Sequence, residues 1–356
     1  MSGGLLAELY AQGAFNPALP QHELAAAHIP LGRLGISPAP ERLLIDAVGQ
    51  TDGLTLIVGA SGAGKSSLMT YTAERLTELE RDGRRYLPLL VPVAAHSAGA
   101  ANLATFGRLA IASLLAALPV GADDRSRLER MTADNVTRQL PSKDFNARLA
   151  LRGGLPGGVA RAGADFGVTL RGEVLAISSP GALDHDPYGG LDELADMLRV
   201  LRRELVIMVE DTDAWAFEPD GGLETAQAFF AGVLAPLVSP GFSVVVAAQT
   251  RWSGLDAFSA ISERAVARID VPTYSLPRAR EVITAIVAGR VSWTLGDRID
   301  HSASEVLDDG ALDVLAARLR DTGSVRSALS VLRDTLTKVS ADFPPVLTRE
   351  HLLESA

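Results

Sequence analysis

Apolar and polar positions alternate between two regimes along this chain. Four continuous apolar runs of strand length occur in the first three quarters: LTLIV (Leu54–Val58), YLPLLVPVAA (Tyr86–Ala95), LVIMV (Leu205–Val209) and FSVVVAA (Phe242–Ala248). A shorter one, ARIDVP (Ala267–Pro272), follows. Continuous runs of this kind suit strands covered on both faces, as in parallel sheets. Between them lie helical patterns: Glu41–Val48, Lys65–Glu80, Ala101–Leu118 and Leu191–Arg202. In the second of these, Leu68, Met69, Leu76 and Leu79 form the expected buried side, and Asp82-Gly83 the expected stop. From Pro277 the pattern is helical only, in REVITAIVAGRV, ALDVLAARLRD and SVRSALSVLRDTLTKV. The pattern therefore predicts an α/β domain with a parallel sheet over 1–275, opened by a proline-punctuated segment 1–50. A small all-helical domain is expected over 276–356. Alternating Phe166, Val168 and Leu170 predict a half-buried strand, with a hairpin turning near Arg171-Gly172. With the glycine-rich stretch Gly153–Gly163, it is expected to form an insertion at about 150–180.

Composition narrows the chemistry. The 356 residues contain no cysteine, which excludes disulfides, thiolate metal sites and thiol nucleophiles. The six histidines show no HxxH or HxxxH pair, so no metal other than a nucleotide-bound Mg²⁺ is expected. The formal charge of −10 disfavours nucleic-acid binding through the overall field. The N-terminus lacks the basic start and apolar core of a signal peptide, and Arg108 and Pro119 interrupt the one stretch that resembles a membrane span. A soluble cytoplasmic protein is expected.

The decisive motif follows the first strand. Gly59-Ala60-Ser61-Gly62-Ala63-Gly64-Lys65-Ser66-Ser67 fits GxxxxGK[ST], the Walker A pattern. Its glycines let backbone N–H groups turn toward phosphate oxygens, and the next helix presents its N-terminus to the same anion. Lys65 is expected at the β- and γ-phosphates and the Ser66 hydroxyl on Mg²⁺. Glu210 and Asp211 end the run LVIMV, the Walker B arrangement. Two like charges at such a point call for a cation. By position Glu210 is the metal-side carboxylate, acting through water, and Asp211 the group that activates the attacking water.

Together these residues resemble an AAA+ ATPase, and within that family the initiator-type clade of origin-recognition and helicase-loader ATPases, with the STAND signalling ATPases as near relatives. VVVAAQTRW sits where the family has sensor 1, and TGSVRSAL (Thr322–Leu329) is similar to the GxxR of sensor 2. The resemblance implies a P-loop fold with a helical lid, using ATP and Mg²⁺. It implies one strand between those carrying the two Walker motifs, and Leu56 and Met208 are expected on neighbouring strands. It gives Gln249 or Thr250 the sensing of the γ-phosphate, and Arg326 a reach from the lid to the phosphates. Arg264 and Arg268 become candidate arginine fingers, with Arg251 and Trp252 as weaker candidates. It further implies head-to-tail homo- or hetero-oligomers, a protein partner and, in some members, DNA. Two departures stand out. Many relatives have Asp before Glu in Walker B, whereas here Glu210 precedes Asp211, so the water-side group is the shorter one. The initiator clade usually continues into a winged-helix domain, whereas PPVLTREHLLESA follows the lid here; sequence-specific DNA binding by such a module is not expected. The implied function is ATP hydrolysis coupled to assembly or to remodelling of a partner, in a bacterial mobile-element, DNA-maintenance or antiphage setting. The alternatives are a low-turnover, STAND-like nucleotide switch and, more remotely, a small-molecule kinase.

Overall fold

The computed structural model describes residues 4–93, 202–210, 212–218, 220–238, 241–296 and 301–355, the strands at 149–152, 166–170 and 173–177, and scattered helical positions between 103 and 113 and between 191 and 199. Asp211, the stretch Gly153–Gly163 and the dipeptide Arg171-Gly172 lie outside the described residues, as do parts of the two helices expected at Ala101–Leu118 and Leu191–Arg202.

Helices α1 (Gly4–Ala11), α2 (Gln21–Leu24) and α3 (Pro40–Gln50) precede strand β1 (Gly53–Gly59) and helix α4 (Lys65–Thr77). Then come β2 (Glu80–Arg81), β3 (Arg84–Pro92), β4 (Leu149–Arg152), β5 (Phe166–Leu170), β6 (Glu173–Ile177) and β7 (Arg203–Glu210). Helix α5 (Leu223–Ala228), β8 (Ser243–Gln249), α6 (Asp256–Arg264) and β9 (Ala267–Asp270) complete the α/β part. Helices α7 (Leu276–Leu295), α8 (Asp309–Thr322), α9 (Val325–Lys338) and α10 (Arg349–Leu353) follow.

The main sheet has six strands in the order β2-β3-β7-β8-β1-β9. All neighbours pair in parallel except β2, which forms an antiparallel hairpin with β3. Every residue of β1 and β8 is buried, and all of β7 after Arg203. That is the burial a continuous apolar run requires. Alternate residues feed opposite cores. Leu54, Leu56, Ile207 and Val246 face the aromatic cluster of Trp215, Phe229 and Phe230. Ile57, Met208 and Val245 face α3 and α4. This is a P-loop α/β fold followed by a helical lid.

Strand β8 separates β1 from β7, as the motif resemblance implied. Leu56 and Met208 are consequently two strands apart rather than on neighbours: Leu56 pairs with Val246 and Met208 with Val245. Leu79 is 40% exposed rather than buried, because α4 ends at Thr77 and the chain has already turned toward β2. Asp82-Gly83 is not a simple stop. Both residues have positive φ (53° and 74°), the geometry of a two-residue hairpin turn between β2 and β3.

The expected hairpin in the insertion is present as β5 and β6, and β4 extends it to a three-stranded antiparallel sheet in the order β4-β6-β5. The N-terminal segment divides. Leu44 and Val48 of α3 pack under the sheet, whereas Leu6, Leu9 and Phe15 belong to the helical core with Ile283, Leu315 and Leu332. Grouping all of residues 1–50 with the sheet domain therefore does not describe the packing of α1: its apolar face is buried by lid helices.

Candidate functional site

Parallel strands bring their C-terminal ends to one edge, and the candidate site lies there. Gly59 at the end of β1 pairs with Gln249 at the end of β8; Pro92 at the end of β3 pairs with Glu210 at the end of β7. The Walker A loop links β1 to α4, whose first residue is Lys65. A cleft of about 470 Å³ opens over this edge. The loop and α4 (Gly62 to Leu68), Glu210 and Asp213 of the sheet edge, and Val282, Ile286, Arg290, Val325, Arg326 and Leu329 of the lid all line it. The segment from Pro17 to Leu31 closes a further side.

Lys65 is 4% exposed and its ammonium is fully engaged. Nζ donates to the carbonyl oxygens of Gly59 (3.1 Å) and Ala60 (2.8 Å), and forms an ion pair with Asp213 Oδ2 at 3.1 Å. Burial pulls its pKa below the usual lysine value; Asp213 offsets part of that and Arg326 adds to it. Asp213 is reached by a short turn, Thr212–Phe217, immediately after β7. Thr212 Oγ1 fixes that turn by donating to Ala247 O at 2.7 Å. The Gln249 amide nitrogen fixes it again by donating to Asp213 O at 3.2 Å.

Gln249 is buried, whereas the other candidate for that role, Thr250, is exposed. Glu210 is buried at the cleft floor. Asp213 Oδ1 is buried with no hydrogen-bond partner among the described residues. With Ser66 and Glu210 it makes an all-oxygen set, the donor chemistry Mg²⁺ takes. These residues fit that ion.

The lid is seated on the loop. Arg326 N–H donates to Gly62 O at 3.1 Å. Ser324, the N-cap of α9, accepts from Ser327 N and lies so close to Gly62 that a Cβ there would collide with its Oγ. The GxxR helix thus starts at the phosphate loop, and Arg326 lines the cleft with an exposed side chain.

Arg264 and Arg268 are elsewhere. Both are exposed, and neither lines the cleft. Arg268 is held by its strand neighbour Asp270 at 3.0 Å, on the edge strand β9. Its register partner is Leu56, three residues before Gly59, or about 10 Å back along the strand. Arg251 is exposed and lies over the Trp252 ring at 4.7 Å, whereas Trp252 is fully buried beside Trp215; neither lines the cleft.

Several cleft residues had no motif to announce them. Asp213 is one. His28 is another: its Nδ1 is 3.0 Å from Ser67 Oγ, its Nε2 is 3.1 Å from Glu41 Oε1, and its ring lies against Tyr71. Leu31 N–H also donates to Glu41 Oε1, at 2.7 Å. This network fastens the N-terminal segment to the helix that begins with the Walker lysine. Arg290 is the third: a single charge in the apolar stretch Val282–Trp293 was the available signal.

No protein-family model matches the chain, and no curated protein matches it. It is similar in structure to the Aeropyrum pernix ORC1 protein in complex with DNA, at 18% identity and a TM-score of 0.47, over 96% of this chain and 66% of that one. For the Aeropyrum pernix ORC2 protein in its ADPNP-ADP complexes the values are 14%, 0.46, 88% and 64%. For Cdc6p from Pyrobaculum aerophilum they are 14%, 0.46, 97% and 70%. The chain thus spans just under two thirds of the first two proteins.

Proposed function

We propose that this protein binds ATP with Mg²⁺ and hydrolyses it, coupling nucleotide state to assembly and to the remodelling or recruitment of a protein partner. The observation that carries the proposal is the convergence at Lys65: a Walker A loop at the end of β1, Glu210 at the end of a strand two places away, and the GxxR helix hydrogen-bonded to the loop. In this reading Lys65 exchanges Asp213 for phosphate oxygens, and the N-terminus of α4 adds its backbone N–H groups. Ser66 and Glu210 would hold Mg²⁺, Glu210 through water, and the ion would supply positive charge to the phosphates. Asp211 orients the attacking water and takes its proton, and Gln249 senses the γ-phosphate. Arg326 closes over the phosphates. Arg264 or Arg268 serves a neighbouring subunit's site, which calls for a head-to-tail assembly. By analogy with initiator-type ATPases, the setting is a multi-gene bacterial mobile-element, DNA-maintenance or antiphage system in the cytoplasm, with DNA as a second candidate ligand.

One observation favours a second reading, a slow nucleotide switch that scaffolds an effector. Lys65 is tied to Asp213 while the lid is hydrogen-bonded to the loop, an arrangement that must be undone for nucleotide exchange. Mass measurement with ADP and with ATP, alongside phosphate release, separates the two. Steady release with an ATP-dependent mass supports the first reading; an ATP-dependent mass with negligible release supports the second. No response of either kind to ATP overturns both.

A further inference from the structure

Arg290 has a role that none of the Walker or sensor motifs supplies. It sits on α7, 8% exposed, and it lines the cleft with Ile286 and Val282. These three residues are spaced four apart, so they share one face of the helix. Its Nη1 has no hydrogen-bond partner among the described residues. Burial pushes its pKa down to about 10, and Glu23 raises it again in part, so the guanidinium is charged at neutral pH. A buried cation with an unused donor is costly unless something accepts from it.

Its position along the cleft identifies what that something is. Helix α7 begins just after Val271, which lies against Gly59 of the phosphate loop. From Val282 to Arg290 the helix advances by about 12 Å. Next to Arg290, a Cβ on Gly289 would collide with Ile29 of the N-terminal segment. Arg290 therefore stands where α7 meets the N-terminal segment, on a wall of the cleft that Leu24, Ala27, Ile29, Val282 and Ile286 make largely apolar. With the phosphates of a nucleotide at Lys65, that apolar wall is left for its nucleoside.

We propose that Arg290 is a recognition residue for the nucleoside part of the ligand, donating from Nη1 to an acceptor on the base edge or on a ribose hydroxyl oxygen. This rests on the nucleotide-site reading above. Arg326 and Lys65 hold charge; Arg290 reads the part of the ligand that distinguishes one nucleotide from another.

The test measures binding calorimetry on the full chain with two probes, ATP and inorganic tripolyphosphate. Arg290→Met should weaken ATP binding about 10- to 100-fold, as losing a hydrogen bond from a charged donor does, and leave tripolyphosphate binding unchanged. The same variant without ligand should melt near or above the parental temperature, because a buried donor with no acceptor has been removed, although the contacts of the guanidinium with Glu23 and the Trp293 ring go with it. Repeating the comparison with 2′-deoxy-ATP assigns the acceptor: a vanished difference points to the ribose hydroxyl, a persistent one to the rest of the nucleoside. Unchanged ATP affinity, or equal losses for both probes, overturns the proposal. Arg290→Lys keeps the charge and loses the planar fork; it carries the same test if the methionine variant does not fold. Lys65→Ala serves as the separate control. If that variant keeps its affinity for both probes, the nucleotide-site reading itself fails, whatever Arg290 does.

Discussion

Replacing Gly62 by alanine should unseat the lid without touching any charged group. Gly62 occupies a variable position of the Walker A pattern, so the motif survives. Two separate costs follow from the structure. The first is local: Gly62 has φ of +73°, where an L-residue is strained by about 1–2 kcal/mol. That strain belongs to the loop and is present whether or not the lid is docked. The second acts across the interface. The new methyl would collide with Ser324 Oγ and lie 2.7 Å from Arg326 Cβ. Relieving this overlap means parting α9 from the loop and giving up the bond from Arg326 N–H to Gly62 O. Overpacking costs about 1–3 kcal/mol and the hydrogen bond about 1 kcal/mol. Lid docking should therefore weaken by about 2–4 kcal/mol, at least about 30-fold in the closed population. Amide hydrogen exchange at Arg326 reads this directly, because that N–H is the one bonded to the loop. Exchange in the middle of β8, at Val245, reports global opening and separates loop strain from lid release. Ser324→Gly supplies the second half of a double-mutant cycle, since glycine at an N-cap costs only a few tenths of a kcal/mol. In the Gly62→Ala background it should restore part of the protection, with a coupling of about 1 kcal/mol or more. Equal exchange at Arg326 in parent and Gly62→Ala, or strictly additive effects of the two substitutions, would refute the docking of lid on loop.

Four further expectations concern the site and its neighbours. Glu41 is held below its ordinary pKa of 4.5: burial raises it, but hydrogen bonds from His28 and Leu31 N–H more than compensate. Its stabilising contribution is therefore complete above pH 4.5 and lost as pH falls through the folded value, so Glu41→Gln should lower the melting temperature at neutral pH and flatten its acid limb; an unchanged acid limb counts against the network. Asp213→Asn removes Lys65's competing partner, so ATP binding in EDTA should tighten severalfold, whereas weaker binding in EDTA would mean that Asp213 positions Lys65 for phosphate. Glu210→Gln should raise the Mg²⁺ concentration needed for turnover, and Asp211→Asn should keep ATP binding but slow hydrolysis by about 10²-fold; parental rates in the latter would remove Asp211 as the water-side group. Arg264→Ala or Arg268→Ala should bind ATP normally and lose most turnover, and mixing with Lys65→Ala subunits should restore some of it; two single variants that hydrolyse like the parent would exclude an arginine supplied in trans.

What the sequence disclosed and what it withheld follow from the range of the interactions. A strand buried on both faces leaves a run such as LVIMV, and a phosphate loop leaves fixed glycines, so β1, β7, β8 and the Walker A loop were all legible. The hairpin of β5 and β6 was legible because alternation is local. Polar contacts between distant segments leave no spacing to read. His28, Glu41 and Ser67 meet only because α2, α3 and α4 pack together, and no one of them is unusual in its own stretch. Asp213 was visible as a charge near Walker B, but its meeting with Lys65 depends on the turn that follows β7. Arg268 had the opposite fault. It fits a family position by order along the chain, while the side chain is held by Asp270 two residues on. It does not line the cleft.

These distant contacts also bear on how the lid can move. The lid is joined to the sheet through Val271–Ser275, between β9 and α7, which suggests a single hinge. The packing adds a second connection. Helix α1 lies against α7 and α9, in the lid's own core. Farther along the same segment, His28 is fastened to Ser67 on α4 and to Glu41 on α3. The chain between α1 and His28 therefore spans from lid to phosphate-loop helix. A lid that carries α1 with it can open only as far as that strap allows, unless the His28 contacts break. The same strap supplies Pro17, Ala18 and Leu19 to the cleft wall, so a ligand lodged there touches strap and lid together. Ser67 follows directly on Ser66, the hydroxyl assigned to Mg²⁺. A change in the phosphates' surroundings is thus one residue away from the bond that anchors the strap, and through it the lid.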